Sequence, residues 1–245
     1  EVDKWINAPL AAVRVHHNVL NREEQPIFNE DGTMCIFMDG EIYDYTSNKR
    51  LLETKGHKFK YDANDAEFCL HLYEEFGDDA FEKLNGSFQI AIYNIQSEEL
   101  VLVTDRYATR RLLYYQDGRN LLFSAQLRAL MEYENLPVNL DRLSIVEFCS
   151  IQKVLGDRTY LNDVFFLHSG SVLHYKKGKV SINEYWKPEF NIQYKSERYF
   201  VDSLISALTE AVHRRTQDNH NRLGILLSGG LDSRIMLAAD KNNKL

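Results

Sequence analysis

The sequence predicts an α+β domain over residues 1–186, then a polar connection at 187–196 containing Pro188, then the opening of an α/β unit over 197–245. Three observations carry this reading. Four short apolar runs at 88–93, 100–104, 113–115 and 121–123 are separated by turn residues, the spacing of an antiparallel meander. Ahead of them, Phe68, Cys69, Leu72, Tyr73 and Phe76 recur at helical period. Near the other end, Leu223-Gly224-Ile225-Leu226-Leu227 runs without apolar/polar alternation, as does a strand buried on both faces.

Taken in order, residues 11–15 read as a short strand in which Arg14 is the one charge. Residues 23–29 form a loop around Gln25-Pro26, and Asp31-Gly32 is a turn signal. Residues 34–38 are an apolar strand ending at Asp39-Gly40-Glu41-Ile42-Tyr43-Asp44. Thr46 or Ser47 can cap a helix that buries Leu51 and Leu52 and stops at Gly56. Asp65 opens the next helix, which Gly77 ends, and a shorter one spans 80–84. After the four-strand run, helices are expected at 126–133 and 144–152, and strands at 164–167, 171–175 and 180–185 with Lys177-Gly178 as a hairpin turn. Phe200, Val201, Leu204, Ile205, Leu208 and Val212 then lie on one helical stripe ending in His213-Arg214-Arg215, cations that suit a helix C-terminus.

With 44% hydrophobic and 27% charged residues, the composition is that of an ordinary soluble protein. A net charge of −7 supplies no basic stripe for nucleic acid or an anionic membrane, so neither is expected as a partner. No apolar run reaches the length of a membrane span, and no signal peptide opens the chain. Cys35, Cys69 and Cys149 are odd in number, far apart and in apolar contexts, and read as reduced core thiols of a cytoplasmic protein. The eight histidines show no spacing with cysteine or acid that builds a metal site, so no metal is expected within this chain alone.

The strand at 223–227 leads into Ser228-Gly229-Gly230-Leu231-Asp232-Ser233 and then a helix-forming run, 234–239. Glycines let backbone N–H groups approach an oxyanion, and a helix N-terminus favours negative charge. The alternative is a Gly-Gly turn whose Asp and Ser cap the helix. The loop lacks the Lys of the Gly-x-x-x-x-Gly-Lys-Ser/Thr pattern. It resembles the pyrophosphate loop of ATP pyrophosphatases, which implies ATP and Mg²⁺ held by Leu227, Ser228, Gly229, Gly230, Asp232 and Ser233.

With that loop behind a domain of this pattern, the chain resembles the glutamine-hydrolysing asparagine synthetase family, which includes the β-lactam synthetases. The likeness rests on Asp39-Gly40-Glu41-Ile42-Tyr43-Asp44, Asn64-Asp65-Ala66-Glu67, Leu84-Asn85-Gly86-Ser87-Phe88, Asp105 to Tyr115, Phe123-Ser124-Ala125, Leu167-His168-Ser169-Gly170 and Glu184-Tyr185-Trp186, in that order. The resemblance implies an N-terminal-nucleophile αββα sandwich that hydrolyses glutamine to ammonia. It also implies a second domain that adenylates a carboxylate such as aspartate with ATP and amidates it. Arg14 is then expected on the glutamine α-carboxylate and Asp65 on its α-ammonium. Gly40 N–H would serve the oxyanion hole beside Asp39, and Val15 and Glu41 would complete the glutamine pocket. The residues alone leave Arg14 open to an ordinary strand-face ion pair and Asp65 to capping its helix.

The chain departs from the family at two important places. The family's nucleophile is a cysteine at position 1, attacking with its own α-amino group as base; here residue 1 is Glu1 and no catalytic residue is assigned. With thirteen residues ahead of Arg14, too few for the strands that should carry the nucleophile, the chain reads as truncated at its start. Asp39 stands where the family has an oxyanion-hole asparagine, and an ionised carboxylate only accepts hydrogen bonds. At about 4 Å from a developing oxyanion it would add roughly 4 kcal/mol of repulsion at an effective dielectric of about 20, so weak or lost glutaminase activity is expected. Ala108 and Arg111 replace a glycine and a proline of the family, leaving the loop after Asp105 another path. One strand and two helices do not complete an ATP pyrophosphatase domain, so the polypeptide is expected to be a fragment inactive by itself. A β-lactam-synthetase-like ligase with a vestigial glutaminase domain and a non-catalytic scaffold or dimerisation module remain alternatives, the latter as a homodimer.

Overall fold

The computed structural model describes residues 1–17, 19, 21–216 and 223–240. It divides into two units, Glu1–Lys187 and Pro188–Leu245.

The first unit opens with a hairpin, β1 (Val2–Asn7) and β2 (Leu10–Val15), which forms a sheet of its own. Then come β3 (Ile27–Phe28), β4 (Met34–Ile42) and helices α1 (Thr46–Thr54), α2 (Asp65–Phe76) and α3 (Asp79–Glu82). Four strands follow: β5 (Gly86–Asn94), β6 (Glu99–Thr104), β7 (Leu113–Gln116) and β8 (Leu121–Ser124). The unit ends with α4 (Leu127–Met131), α5 (Arg142–Ile151), β9 (Val164–Phe166), β10 (Ser171–Lys176) and β11 (Lys179–Glu184). One six-stranded sheet has the order β11-β10-β6-β5-β4-β3, with every neighbouring pair antiparallel; a second has the order β8-β7-β9.

Side-chain alternation explains the layering, because successive residues of a strand face opposite sides. Ile36, Met38, Ile90, Ile92 and Val103 pack on one side of the large sheet against Leu52 of α1 and Phe68 and Leu72 of α2. Their neighbours Cys35, Ala91, Tyr93 and Leu102 face the other way, meeting Tyr114 and Phe123 of the second sheet, Leu112 just ahead of β7 and Trp5 of the hairpin. Leu113, Tyr115 and Val164 turn outward from the second sheet onto Leu130 of α4 and Leu136. The result is the expected αββα order of layers.

Several local expectations are corrected. The four runs 88–123 do not make one meander: β5 and β6 pair in the large sheet and β7 and β8 in the small one. Short apolar runs set off by turns look the same in both sheets, so they cannot show that residues 105–112 change sheets. β4 runs on through Asp39-Gly40-Glu41-Ile42, and β1 and β3 were not anticipated. Helix α1 starts without a side-chain cap; α2 is capped by Asn64, whose Oδ1 accepts from Glu67 N at 2.9 Å, so Asp65 is released from that duty. Cys35 and Cys69 are buried, whereas Cys149 is exposed on α5. Histidine spacing gave no metal site, yet folding gathers Glu30, His57, His71 and Glu74 from three separate segments.

In the second unit, α6 (Glu197–Thr216) and α7 (Leu231–Ala239) form as expected. The strand expected at 223–227 does not. Residues 223–228 carry no strand pairing, and Leu226 is 96% exposed. An extended segment becomes a strand only when another supplies its ladder bonds, and among the described residues this unit has no second strand. The apolar stripe of α6 is likewise uncovered at Phe200, Val201, Leu204 and Ile205. No helix among the described residues is long and apolar enough to cross a membrane.

Asp105, 1% exposed, organises the change of sheet. Its carboxylate accepts from Phe88 N (3.1 Å), Tyr107 N (2.9 Å) and Thr109 N (3.1 Å), while its own N–H donates to Phe88 O (3.2 Å) and its carbonyl accepts from Gly170 N (2.9 Å). Asp105→Ala leaves the Phe88 N–H buried without an acceptor, and a loss of about 3 kcal/mol is expected. Urea denaturation measures it; an unchanged midpoint would contradict this account.

Candidate functional site

The polar centre of the first unit lies along β4 where β3 stops pairing. β3 covers only Cys35 and Ile36. Beyond them the same edge is met by side chains: Met38 N donates to Gln25 Oε1 at 2.8 Å and Ile42 N to Asp65 Oδ2 at 3.1 Å. By strand alternation the Gly40 N–H, between these two, faces the same edge. On the other side Gly40 lies opposite Phe88, whose N–H and C=O both serve Asp105. Gly40 has φ +127°, and a Cβ there would stand 2.0 Å from Ser87 O, so only glycine fits.

Asn21 joins the residues expected from the sequence. Its Nδ2 donates to Gly40 O at 3.0 Å and lies 3.5 Å from Asp65 Oδ2, and its Oδ1 accepts from Asp65 N at 2.8 Å. Its own carbonyl accepts from Arg14 NH2 at 2.8 Å. Gly40, Asp65 and Arg14 are thus one hydrogen-bonded group through a residue that sequence inspection passed over. The one available signal was its residue type: Asn21 has φ +47°, a conformation asparagine tolerates better than most residues.

Arg14 is buried and forms an ion pair with Asp3 at 3.1 Å; it also donates to Glu23 O at 3.4 Å. Asp3 in turn accepts from Gln25 N at 3.2 Å. Arg14 therefore fastens the 21–25 loop to the β1–β2 hairpin. Val15 is exposed on β2 opposite Val2, and Glu41 accepts from Tyr43 OH at 2.8 Å. Neither is joined to the Asn21 group by a hydrogen bond among the described residues.

Asp39 faces the other side of β4, toward the space between the sheets. The sequence reading treated it as an isolated carboxylate. The structure pairs it with Arg110 NH1 at 2.8 Å and places Gln89 Nε2 3.4 Å away. A guanidinium this close offsets the carboxylate's charge and brings N–H donors to the same place. Arg110 was missed because the 106–111 loop positions it, and that loop is shaped by Asp105 and not by a local motif.

In the second unit, Ser228 Oγ and Ser233 Oγ are 3.1 Å apart, and Gly230 N donates to Ser228 Oγ at 3.3 Å. Gly230 is the N-cap of α7, Asp232 lies in its first turn, and a Cβ at Gly229 would meet no atom within 4 Å. This segment with Leu227 is therefore an open loop at a helix N-terminus. A cleft of about 570 Å³ in the same unit is lined by residues of α6 with Ala239 and Asp240, and none of the loop residues border it.

Burial pushes the Asp65 carboxyl up to about 6, against the lowering effect of its hydrogen bonds from Ile42 N–H, Tyr45 and Asn21. The folded state thus keeps this proton to a higher pH than the unfolded chain, whose aspartates titrate near about 4. The unfolded chain binds fewer protons in that interval, so stability falls as pH rises from about 4 to about 6 and levels off above it. Asp65→Asn should flatten this fall in denaturation midpoints. A carboxyl resonance of Asp65 titrating at its ordinary value would overturn the assignment.

Comparison with known proteins agrees with this architecture. The model of the glutamine amidotransferase domain family matches residues 3–186. Asparagine synthetase [glutamine-hydrolyzing] 2 of Bacillus subtilis is 28% identical over 235 residues, covering 90% of this chain and 31% of that protein. The second asparagine synthetase of Arabidopsis thaliana is 27% identical over 217 residues, covering 88% and 32%. The chain spans about a third of the length of these relatives. Among solved structures, the glutamine phosphoribosylpyrophosphate amidotransferase of B. subtilis superposes with a TM-score of 0.50 at 14% identity, over 72% of this chain and 35% of that one. The chain, whose αββα domain is matched by the family model over nearly its whole length, belongs to the glutamine amidotransferase domain family and is homologous to the glutamine-hydrolysing asparagine synthetases.

Proposed function

We propose that the first unit binds glutamine and that the chain is part of an asparagine synthetase-like ligase, in which ammonia from glutamine amidates an ATP-activated carboxylate such as aspartate. The observation that carries this reading is the Gly40–Asn21–Asp65 group at the open edge of β4, within the span matched by the family. Asp65, once ionised, is a half-buried counter-charge for the α-ammonium of glutamine. Arg14 would serve the α-carboxylate from a guanidinium already shared with Asp3, and Val15 and Glu41 would line the same pocket. Gly40 N–H, facing the edge, would donate to the amide oxygen as negative charge develops there. The Asp39–Arg110 pair takes the remaining oxyanion position, with Arg110 supplying the donors that Asp39 lacks.

The 227–233 loop would hold ATP phosphates on the amides that open α7, with the Ser228 and Ser233 hydroxyls as further donors and Asp232 toward Mg²⁺. ATP then supplies the activated carboxyl intermediate of such ligases. The open space at Gly229 fits a bulky anion. The asparagine synthetase relatives favour this reading over a β-lactam-synthetase-like cyclase or a scaffold module.

Calorimetric titration of the chain with glutamine tests the central claim. Saturable binding is expected, weakened about tenfold or more in Asp65→Asn, since that variant loses a charge-assisted contact. Equal affinity in the variant would sink the Asp65 assignment. For the oxyanion position, Arg110→Ala in the full-length protein should lower ammonia release about 10²-fold with little change in KM, the pattern of a lost oxyanion donor. An unaltered kcat would remove Arg110 from the site.

A further inference from the structure

We propose that Glu30, His57, His71 and Glu74 form a binding site for a divalent transition metal of the zinc class, which clamps α2 to the two loops packed against it. The four residues come from the turn after β3, the segment after α1 and one helical turn of α2, and each offers a ligand atom within 4.8 Å of the others. His71 and Glu74 are spaced i, i+3, which puts both on one face of the helix.

The distances suit a four-coordinate ion. Tetrahedral ligands at about 2.0–2.1 Å from zinc stand roughly 3.3 Å from one another. His57 Nδ1 and His71 Nδ1 are 3.2 Å apart, His71 Nδ1 and Glu74 Oε2 3.0 Å, and His71 Nδ1 and Glu30 Oε2 3.4 Å. The other Glu30 oxygen, Oε1, lies 3.9 Å from His57 Nδ1, and all six separations among the four ligand atoms fall within 4.8 Å.

Hydrogen bonding alone does not account for this convergence. A ring nitrogen has one in-plane site, either an N–H or a lone pair. His71 Nδ1 is approached by a second imidazole nitrogen and by two carboxylates at once, so one of these contacts at most is its hydrogen bond. A cation at the centre satisfies all of them through one lone pair each. Two neutral imidazoles and two carboxylates carry a charge of about −2, which a divalent ion cancels.

The outer contacts hold the ligands as a metal site requires. Glu74 Oε1 accepts from Asn29 Nδ2 at 2.6 Å, and Glu30 Oε1 accepts from Lys58 N at 2.8 Å. His57 Nε2 lies 3.5 Å from Glu75 Oε2, and the other oxygen of Glu75, Oε1, is paired with Lys55 Nζ at 2.5 Å. A carboxylate behind the outer nitrogen of a ligating imidazole fixes its tautomer and strengthens the ligand. With four protein ligands the coordination is complete, so the role is structural and not catalytic.

The test uses the full chain, stripped with a chelator and titrated with Zn²⁺ by calorimetry and with Co²⁺ by visible absorption. One equivalent should bind with a Kd of about 0.1 µM or tighter. Co²⁺ should give the intense d–d bands of a tetrahedral site, and the denaturation midpoint should rise with free Zn²⁺. Glu30→Gln, at the most exposed ligand, and His57→Gln should each weaken binding about 100-fold while circular dichroism stays unchanged. Should His57→Gln not fold, Glu30→Gln decides alone. Absence of one-equivalent binding, or wild-type affinity in a folded variant, overturns the site. Octahedral Co²⁺ bands would do so as well.

Discussion

The constraint on which the rest of the first unit depends is the pairing of Asp105 with Phe88. Both backbone groups of Phe88 point away from β4 and are taken up by one buried aspartate, so Gly40 and Phe88 face each other as a non-hydrogen-bonded pair. The strands can then approach until a Cβ on Gly40 would overlap Ser87 O. The same aspartate turns the chain from the large sheet into the small one and anchors Gly170, against which Trp186 closes the domain. The edge of β4 that faces Asn21 and Asp65 is therefore positioned by contacts on its opposite side.

The site combines two electrical environments on one strand. On the helix side, Asp65 is held among donors with little water and binds its proton more tightly than an exposed carboxylate. On the inter-sheet side, Asp39 is half exposed and meets a guanidinium. One residue of register separates the two faces, which is how adjacent positions acquire opposite chemistry from nearly identical backbone.

Much of this was legible in the sequence, and the gaps have physical causes. The helical period located α2, and apolar runs bounded by turn residues located β5, β6 and β10, because each buries its apolar residues. The same runs could not tell which sheet a strand joins, so β7 and β8 were grouped with β5 and β6. Gly40 and Asp65 stand in local motifs that the sequence displays. Asn21, Arg110 and the Glu30–His57–His71–Glu74 cluster do not, since each acquires its partners from segments distant in the chain. The strand expected at 223–227 shows the converse: local apolarity was present, but a ladder partner was not among the described residues.

The close approach of β4 and β5 also bears on their register. Gly40 lies opposite Phe88, and Gly86, where a Cβ would fall 2.3 Å from Glu41 O, lies opposite Ile42. A slip of one residue in either direction would bring Asp39 or Glu41 into the space that only Gly40 can occupy, and would also turn the apolar face of β4 away from the helices. The two glycines therefore make the observed register the one in which β4 and β5 can lie this close together.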